Sequence, residues 1–103
     1  MIWVRYYMDC RIFFMSPLYV TWEQYDRAHA LQLAFWIRGV DGQLRTLVYS
    51  ANAPNWWGAQ GWVDMGVPPS YNKWETYTRN LEADYITEYG VQPYSVEETW
   101  LGH

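Results

Sequence analysis

The chain is poor in the residue types that most often carry chemistry. Of its 103 residues one is cysteine and two are histidine. The single thiol, Cys10, excludes an internal disulfide, so nothing points to a secreted scaffold stapled by disulfides. Basic residues are scarce as well: seven Lys and Arg stand against eleven Asp and Glu, for a formal net charge of −4. That balance disfavours nonspecific attachment to nucleic acid or to an anionic membrane. Long apolar runs are missing. Met1-Ile2-Trp3-Val4 opens the sequence, but Arg5, Asp9 and Arg11 interrupt it before a signal-peptide core or a membrane span can form. No Asn-x-Ser/Thr sequon occurs. The expectation is a cytoplasmic protein that binds neither membrane nor nucleic acid directly.

What the chain does have is aromatic surface: eight Trp, ten Tyr and three Phe, 20% of the sequence. A chain of this length is one domain's worth, 1–103, and buries roughly 60 to 70% of its unfolded surface. Each buried ring removes on the order of 150 to 250 Å² from water, so a small core needs few of them. Some of the rings must therefore lie at the surface or in an interface. Charge is uneven along the chain. Residues 1–50 hold five arginines against four acids, whereas residues 51–103 hold Lys73 and Arg79 against seven acids.

From Ile2 to Phe14 every even position is apolar, the period-two pattern of a strand with one face on a core. At ~3.3 Å per residue such a strand would run ~40 Å, which calls for a bend or bulge near Asp9. Cys10 falls on the apolar face and reads as a small core filler. Thr21-Trp22-Glu23-Gln24 fits a capping box, with Val20 and Tyr25 as its hydrophobic staple, and predicts a first helix. Tyr25, Ala28 and Leu31 would face inward, and Glu23 with Arg27 outward. The β-branched and aromatic residues of 33–38 predict a strand, Asp41-Gly42 a hairpin turn, and Leu44 to Tyr49 the returning strand. A two-residue turn would set Arg38 opposite Arg45. A three-residue loop with Gly42 left-handed pairs Ile37 with Arg45 and removes that like-charge clash. Asn72 then offers a cap for a second helix, along which Trp74, Tyr77, Thr78, Leu81 and Tyr85 follow at helical spacing to Gly90. Glu75 with Arg79, and Arg79 with Glu82, read as ordinary helix-surface pairs. Ser95-Val96-Glu97-Glu98 is again a capping box and predicts a short final turn, with a terminal strand as the alternative. The predicted fold is α+β: a small antiparallel sheet of three to four strands, with two main helices packed on one face.

Catalytic and metal-binding patterns are weak. Glu23, Asp26 and His29 are spaced by three and could align on a helix, but no second histidine motif or cysteine pair supports a metal or an acid/base site, and a solvated helix face explains them. Gly58-Ala59-Gln60-Gly61 and Gly39-Val40-Asp41-Gly42 both read G-x-x-G, yet their surroundings are apolar or acidic and do not suit a phosphate cradle. There is no nucleophile elbow, Walker motif or Rossmann glycine run. The expectation is a protein that is not an enzyme and uses no cofactor or metal.

The stretch from Asn52 to Trp74 stands apart. It holds four of the eight tryptophans among glycines and prolines, with Asp64 and Lys73 as its only charges. A long irregular connection in a compact domain is usually functional or disordered, and its aromatic content argues against disorder. Its indoles can plug the core, form a protein-binding hot spot, or stack a flat ligand. Beyond it, Glu75, Glu82, Asp84, Glu88, Glu97 and Glu98 are interleaved with aromatic residues and suit a basic partner. The leading expectation is an acidic, non-enzymatic binding protein, with inhibition as one form of that role. It would engage a protein partner through Trp56, Trp57, Trp62 and Asp64 and through Glu75 and Glu82 on an adjacent acidic helix. The alternative is a small-molecule binder that stacks a nucleotide or sugar on the loop indoles. The composition is also compatible with a homo-oligomer.

Overall fold

Two four-stranded sheets carry the fold. The computed structural model describes residues 3–7, 10–16, 18–26, 31–51, 60–66 and 72–102. Among these, the elements run β1 (Trp3–Tyr7), β2 (Cys10–Ser16), β3 (Tyr19–Asp26), β4 (Leu31–Gly39), β5 (Leu44–Ala51), β6 (Trp62–Asp64), β7 (Lys73–Asn80), α1 (Leu81–Tyr89) and β8 (Pro93–Gly102). The first sheet has the order β1-β2-β3-β7 and the second β6-β5-β4-β8. Every pairing is antiparallel except that of β5 with β6.

Alternation builds the core. Ile12 and Phe14 of β2 and Val20, Trp22 and Gln24 of β3 are buried on the inner face of the first sheet. Leu33, Phe35 and Ile37 of β4, with Leu47 and Tyr49 of β5, are buried on the inner face of the second. Rings join the two layers: the Trp22 centroid lies 6.3 Å from Phe35 and 5.4 Å from Tyr49, and Phe14 meets Phe35 edge-on at 6.1 Å. The Trp22 indole N–H would be a costly orphan in this apolar layer, and it donates to Gln24 Oε1 at 2.8 Å. The helix α1 links the sheets. Its first amide, Leu81 N–H, donates to the Leu18 carbonyl at 2.8 Å, and Leu81 and Tyr85 enter the core.

A mixture of sheet and helix is thus present, but sheet dominates and several expected elements differ. The segment from Thr21 is not a helix. It is β3, because Val20, Trp22 and Gln24 share a buried face at period two, and a capping box worth ~1 kcal/mol cannot outweigh that burial. Thr21 Oγ1 instead lies 3.1 Å from Thr78 Oγ1 across the β3–β7 pair. Arg27, Ala28 and His29 of the expected helix lie outside the described residues.

The predicted long N-terminal strand is two strands. β1 and β2 pair with Tyr7 opposite Cys10 and Trp3 opposite Phe14, so the chain reverses where a bend was expected. The reversal also changes parity: Arg5, not an even-numbered residue, is registered with the core residue Ile12.

The second helix is shorter than its pattern. Residues 73–80 form β7, where β-branched Thr76 and Thr78 and aromatic Trp74 and Tyr77 suit a pleated surface. The helix starts at Leu81, capped by Asn80, whose side chain accepts from Ala83 N–H at 3.1 Å; Gly90 ends it in the left-handed region, as expected. Consequently Trp74 is not on an inward helix stripe but is 43% exposed on a strand. The tail is β8, the strand alternative, rather than a helical turn.

The hairpin matches its predicted register. Ile37 pairs with Arg45, Gly42 has φ 85°, and Gly39 and Gln43 close the loop with a 2.9 Å hydrogen bond.

Candidate binding face

The outer face of the second sheet follows from the alternation that makes its core. Gln32, Ala34, Trp36 and Arg38 alternate with buried Leu33, Phe35 and Ile37, so they lie on the face away from the first sheet. Across the strands Trp62 is opposite Val48, Val48 opposite Ala34, and Ala34 opposite Trp100. This row crosses all four strands, and its two terminal tryptophans are roughly 14 Å apart at ~4.8 Å per strand. Trp36 stands two residues along β4, between Thr46 and Glu98. Three indoles thus share one face.

Their exposure differs. Trp100 is 49% exposed, whereas Trp36 and Trp62 are half-buried. Trp62 Nε1 donates to Ser50 Oγ at 2.7 Å, which fixes the indole and satisfies a fully buried hydroxyl. Ala34 is buried even though it is on the outer face; its large neighbours there are Trp36, Trp100 and Val48. Carboxylates border the row. Asp64 is exposed at the end of β6, held by Gly66 N–H at 2.7 Å. Glu98 is exposed beside Trp36, and Glu97 forms an ion pair with Arg38. Three acids against one guanidinium leave this aromatic face acidic.

The outer face of the first sheet differs in chemistry. Trp74 packs edge-on against Tyr25 at 5.6 Å, and the Arg11 guanidinium lies 4.3 Å over the Trp74 ring. Arg11 also pairs with Glu23 at 3.1 Å, so charge on this face cancels, and Thr21, Thr76 and Thr78 add hydroxyls.

Two further polar clusters fasten α1 to the inner side of the sheets. Asp84 accepts from the Tyr49 hydroxyl and from Arg79 Nε and Nη2, at 3.0 and 2.9 Å for the two guanidinium bonds. Burial first, then the neighbouring Asp84 carboxylate, pushes the Tyr49 phenol well above its usual range. Arg45 grips Asp41 through both terminal nitrogens, at 3.2 and 2.6 Å, and donates to Tyr85 OH at 2.8 Å. The hydrogen bond to Arg45 holds the Asp41 carboxyl below the ordinary range. Asp84 with Tyr49 and Arg79, and Arg45 with Tyr85, tie the helix to the sheets, while Asp41 holds Arg45 from the hairpin turn; these contacts mark both clusters as structural.

No family model, curated protein or solved structure matches this chain. Its own geometry therefore carries the functional reading. Among the described residues no group of three His, Cys, Asp or Glu is placed to hold a metal, and no helix is long and apolar enough to cross a membrane. The helical alignment of Glu23, Asp26 and His29 is lost, because Glu23 and Asp26 lie on β3 and His29 is outside the described residues.

Of the residues singled out from sequence, Trp62 and Asp64 come together on the outer face of the second sheet. Trp56 and Trp57 lie outside the described residues. Glu75 is not on an acidic helix; it is half-buried on β7, opposite buried Gln24. Glu82 is on α1, which packs against the inner side of β5 through Tyr49 and Arg45 and so lies across the sheet from the indole row. Sequence reasoning missed Trp36, and although it counted Glu98 among the acids suited to a basic partner, it did not place Glu98 or Trp100 beside Trp62. The alternation of Trp36 with Phe35 and Ile37 was a usable signal; Trp100 and Glu98 were hidden by a helical reading of the tail.

Proposed function

We propose that this chain is a non-enzymatic binding protein that engages a protein partner with a basic surface through the outer face of its second sheet. The observation that carries this reading is the placement of Trp62 and Asp64 on one face with Trp36, Trp100 and Glu98. Indoles supply contact area at low entropy cost and attract cations over their faces. The bordering carboxylates steer a basic surface toward them and reject an acidic one. Glu98 here takes the role that sequence alone assigned to Glu75 and Glu82. Inhibition is the form of this role in which the covered basic surface is the partner's own working site.

A titration with oligolysine and with oligoglutamate of equal length, followed by tryptophan fluorescence, tests the reading. The response is expected for oligolysine alone, weakened by salt and reduced in Trp100→Ala, a substitution at an exposed site. A flat response to oligolysine would contradict it. The neutral, hydroxyl-bearing face around Trp74 and Tyr25 favours a second reading, stacking of a sugar or nucleotide. Quenching by a glycan or nucleotide that Trp74→Ala abolishes would select it.

A further inference from the structure

The outer edge of β8 has no partner strand among the described residues. β8 ends its sheet and pairs only with β4. In an antiparallel ladder alternate residues direct N–H and C=O away from the paired neighbour, and an open row of such groups is a template for another strand. The two register shifts against β4 lie on the Pro93 side of Glu98, while pairing from Glu98 to Gly102 is regular. That leaves a straight template of about five residues, the scale of an ordinary short strand.

We infer that this edge accepts an extended basic–apolar–basic segment of the partner as an added strand of the second sheet. The inference rests on the binding-face reading above and specifies its chemistry. Glu98 and Trp100 are both exposed and share the outer face, two residues apart. Alternate residues of an incoming strand fall beside them, with side chains about 4.5 to 5.5 Å away across the pair. A cation beside Glu98 makes an ion pair, and one beside Trp100 meets the indole face. The residue between them falls beside Thr99, which is buried, so it must be small and apolar. Added-strand recognition supplies affinity through main-chain bonds and specificity through these alternate positions. A second copy of the chain fits less well. It brings another net charge of −4 to the edge, and centred on Trp100 it sets Glu98 opposite Gly102 with no counter-charge.

The test uses the full chain and three capped pentapeptides: Lys-Val-Lys-Val-Lys, Glu-Val-Glu-Val-Glu, and Lys-Lys-Lys-Val-Val, which keeps the composition of the first but not its alternation. Affinity is measured together with hydrogen-exchange protection of the backbone amides. The expected result is tightest binding of the alternating basic peptide, with new protection confined to 98–102. Glu98→Lys, at an exposed site, should weaken it by about fivefold, as loss of an attraction plus gain of a like-charge repulsion implies. Equal binding of the two basic peptides without protection of β8 overturns the edge inference while the binding-face reading stands. Absence of any response at Trp36, Trp62 and Trp100 to either basic peptide overturns both. Protection of 98–102 that grows with protein concentration in the absence of peptide assigns the edge to a second copy and overturns the inference.

Discussion

Replacing Asp84 by alanine should unfasten the helix from both sheets at once. The Asp84 carboxylate takes hydrogen bonds from Tyr49 on β5 and from Arg79 on β7. Tyr49 is only 1% exposed, so its hydroxyl proton would lose its acceptor with little water to replace it, and the neighbouring Arg79 can only donate, a cost of about 1 to 3 kcal/mol. Arg79 is 36% exposed, and water can replace the carboxylate there; the loss is about 0.2 to 1 kcal/mol. Asp84 also stands in the first turn of α1, where its charge contributes a few tenths of a kcal/mol more. The sum is about 2 to 4 kcal/mol, enough to lower Tm by about 10 °C or more in a chain of this size. Tyr49→Phe removes the hydroxyl rather than orphaning it and should cost only about 1 kcal/mol. The double variant should then cost less than the two single losses added together, because the orphaned hydroxyl no longer exists. Urea denaturation of the three variants and the parent, followed by circular dichroism, gives all four stabilities. A loss below about 0.5 kcal/mol for Asp84→Ala, the range of an ordinary surface change, would refute the clamp. Strict additivity in the double variant would refute the buried-hydroxyl argument.

Other consequences are as direct. Gly61 has φ 83°, and a methyl there would fall well inside contact distance of the Thr46 carbonyl and the Tyr89 hydroxyl; Gly61→Ala should cost about 2 to 4 kcal/mol in urea denaturation. The Tyr49 phenol is raised above 10.0 in the folded chain. Folded protein thus keeps a proton that unfolded protein releases, so the contribution is intact below about pH 10 and falls away as pH rises. Tm measured between about pH 9 and pH 11 should drop less steeply for Tyr49→Phe than for the parent. Asn80→Ala removes the cap on Ala83 N–H and should cost about 1 kcal/mol, with Asn80→Asp close to neutral.

The parts of the fold that were legible in the sequence are those fixed by two independent local constraints. The β4–β5 hairpin had both alternation and a like-charge clash to select its register, and Ile37 does pair with Arg45. Gly90 had both a preceding helical pattern and a left-handed position. The capping boxes at Thr21 and Ser95 failed because a cap stabilises by about 1 kcal/mol, less than burial of a single Trp22 or Phe35 side chain. In residues 74–78 the apolar positions satisfied a helical period by coincidence, while pairing with β3 decided the outcome. The parity change between Tyr7 and Cys10 could not be read locally, since it depends on which residues of β1 meet Ile12. The same gap hid the site: Trp62 and Asp64 stood out in the sequence, but Trp36, Trp100 and Glu98 join them only through pairings of distant strands.

The indole N–H resonances of the full chain, followed by two-dimensional NMR during titration with oligolysine, test the binding face most directly. Trp36, Trp62 and Trp100 should move together and saturate at one affinity, while buried Trp22 and the opposite-face Trp74 stay in place. Movement of Trp74 alone, or of none of the five, would contradict the assignment of the second sheet's outer face as the partner surface.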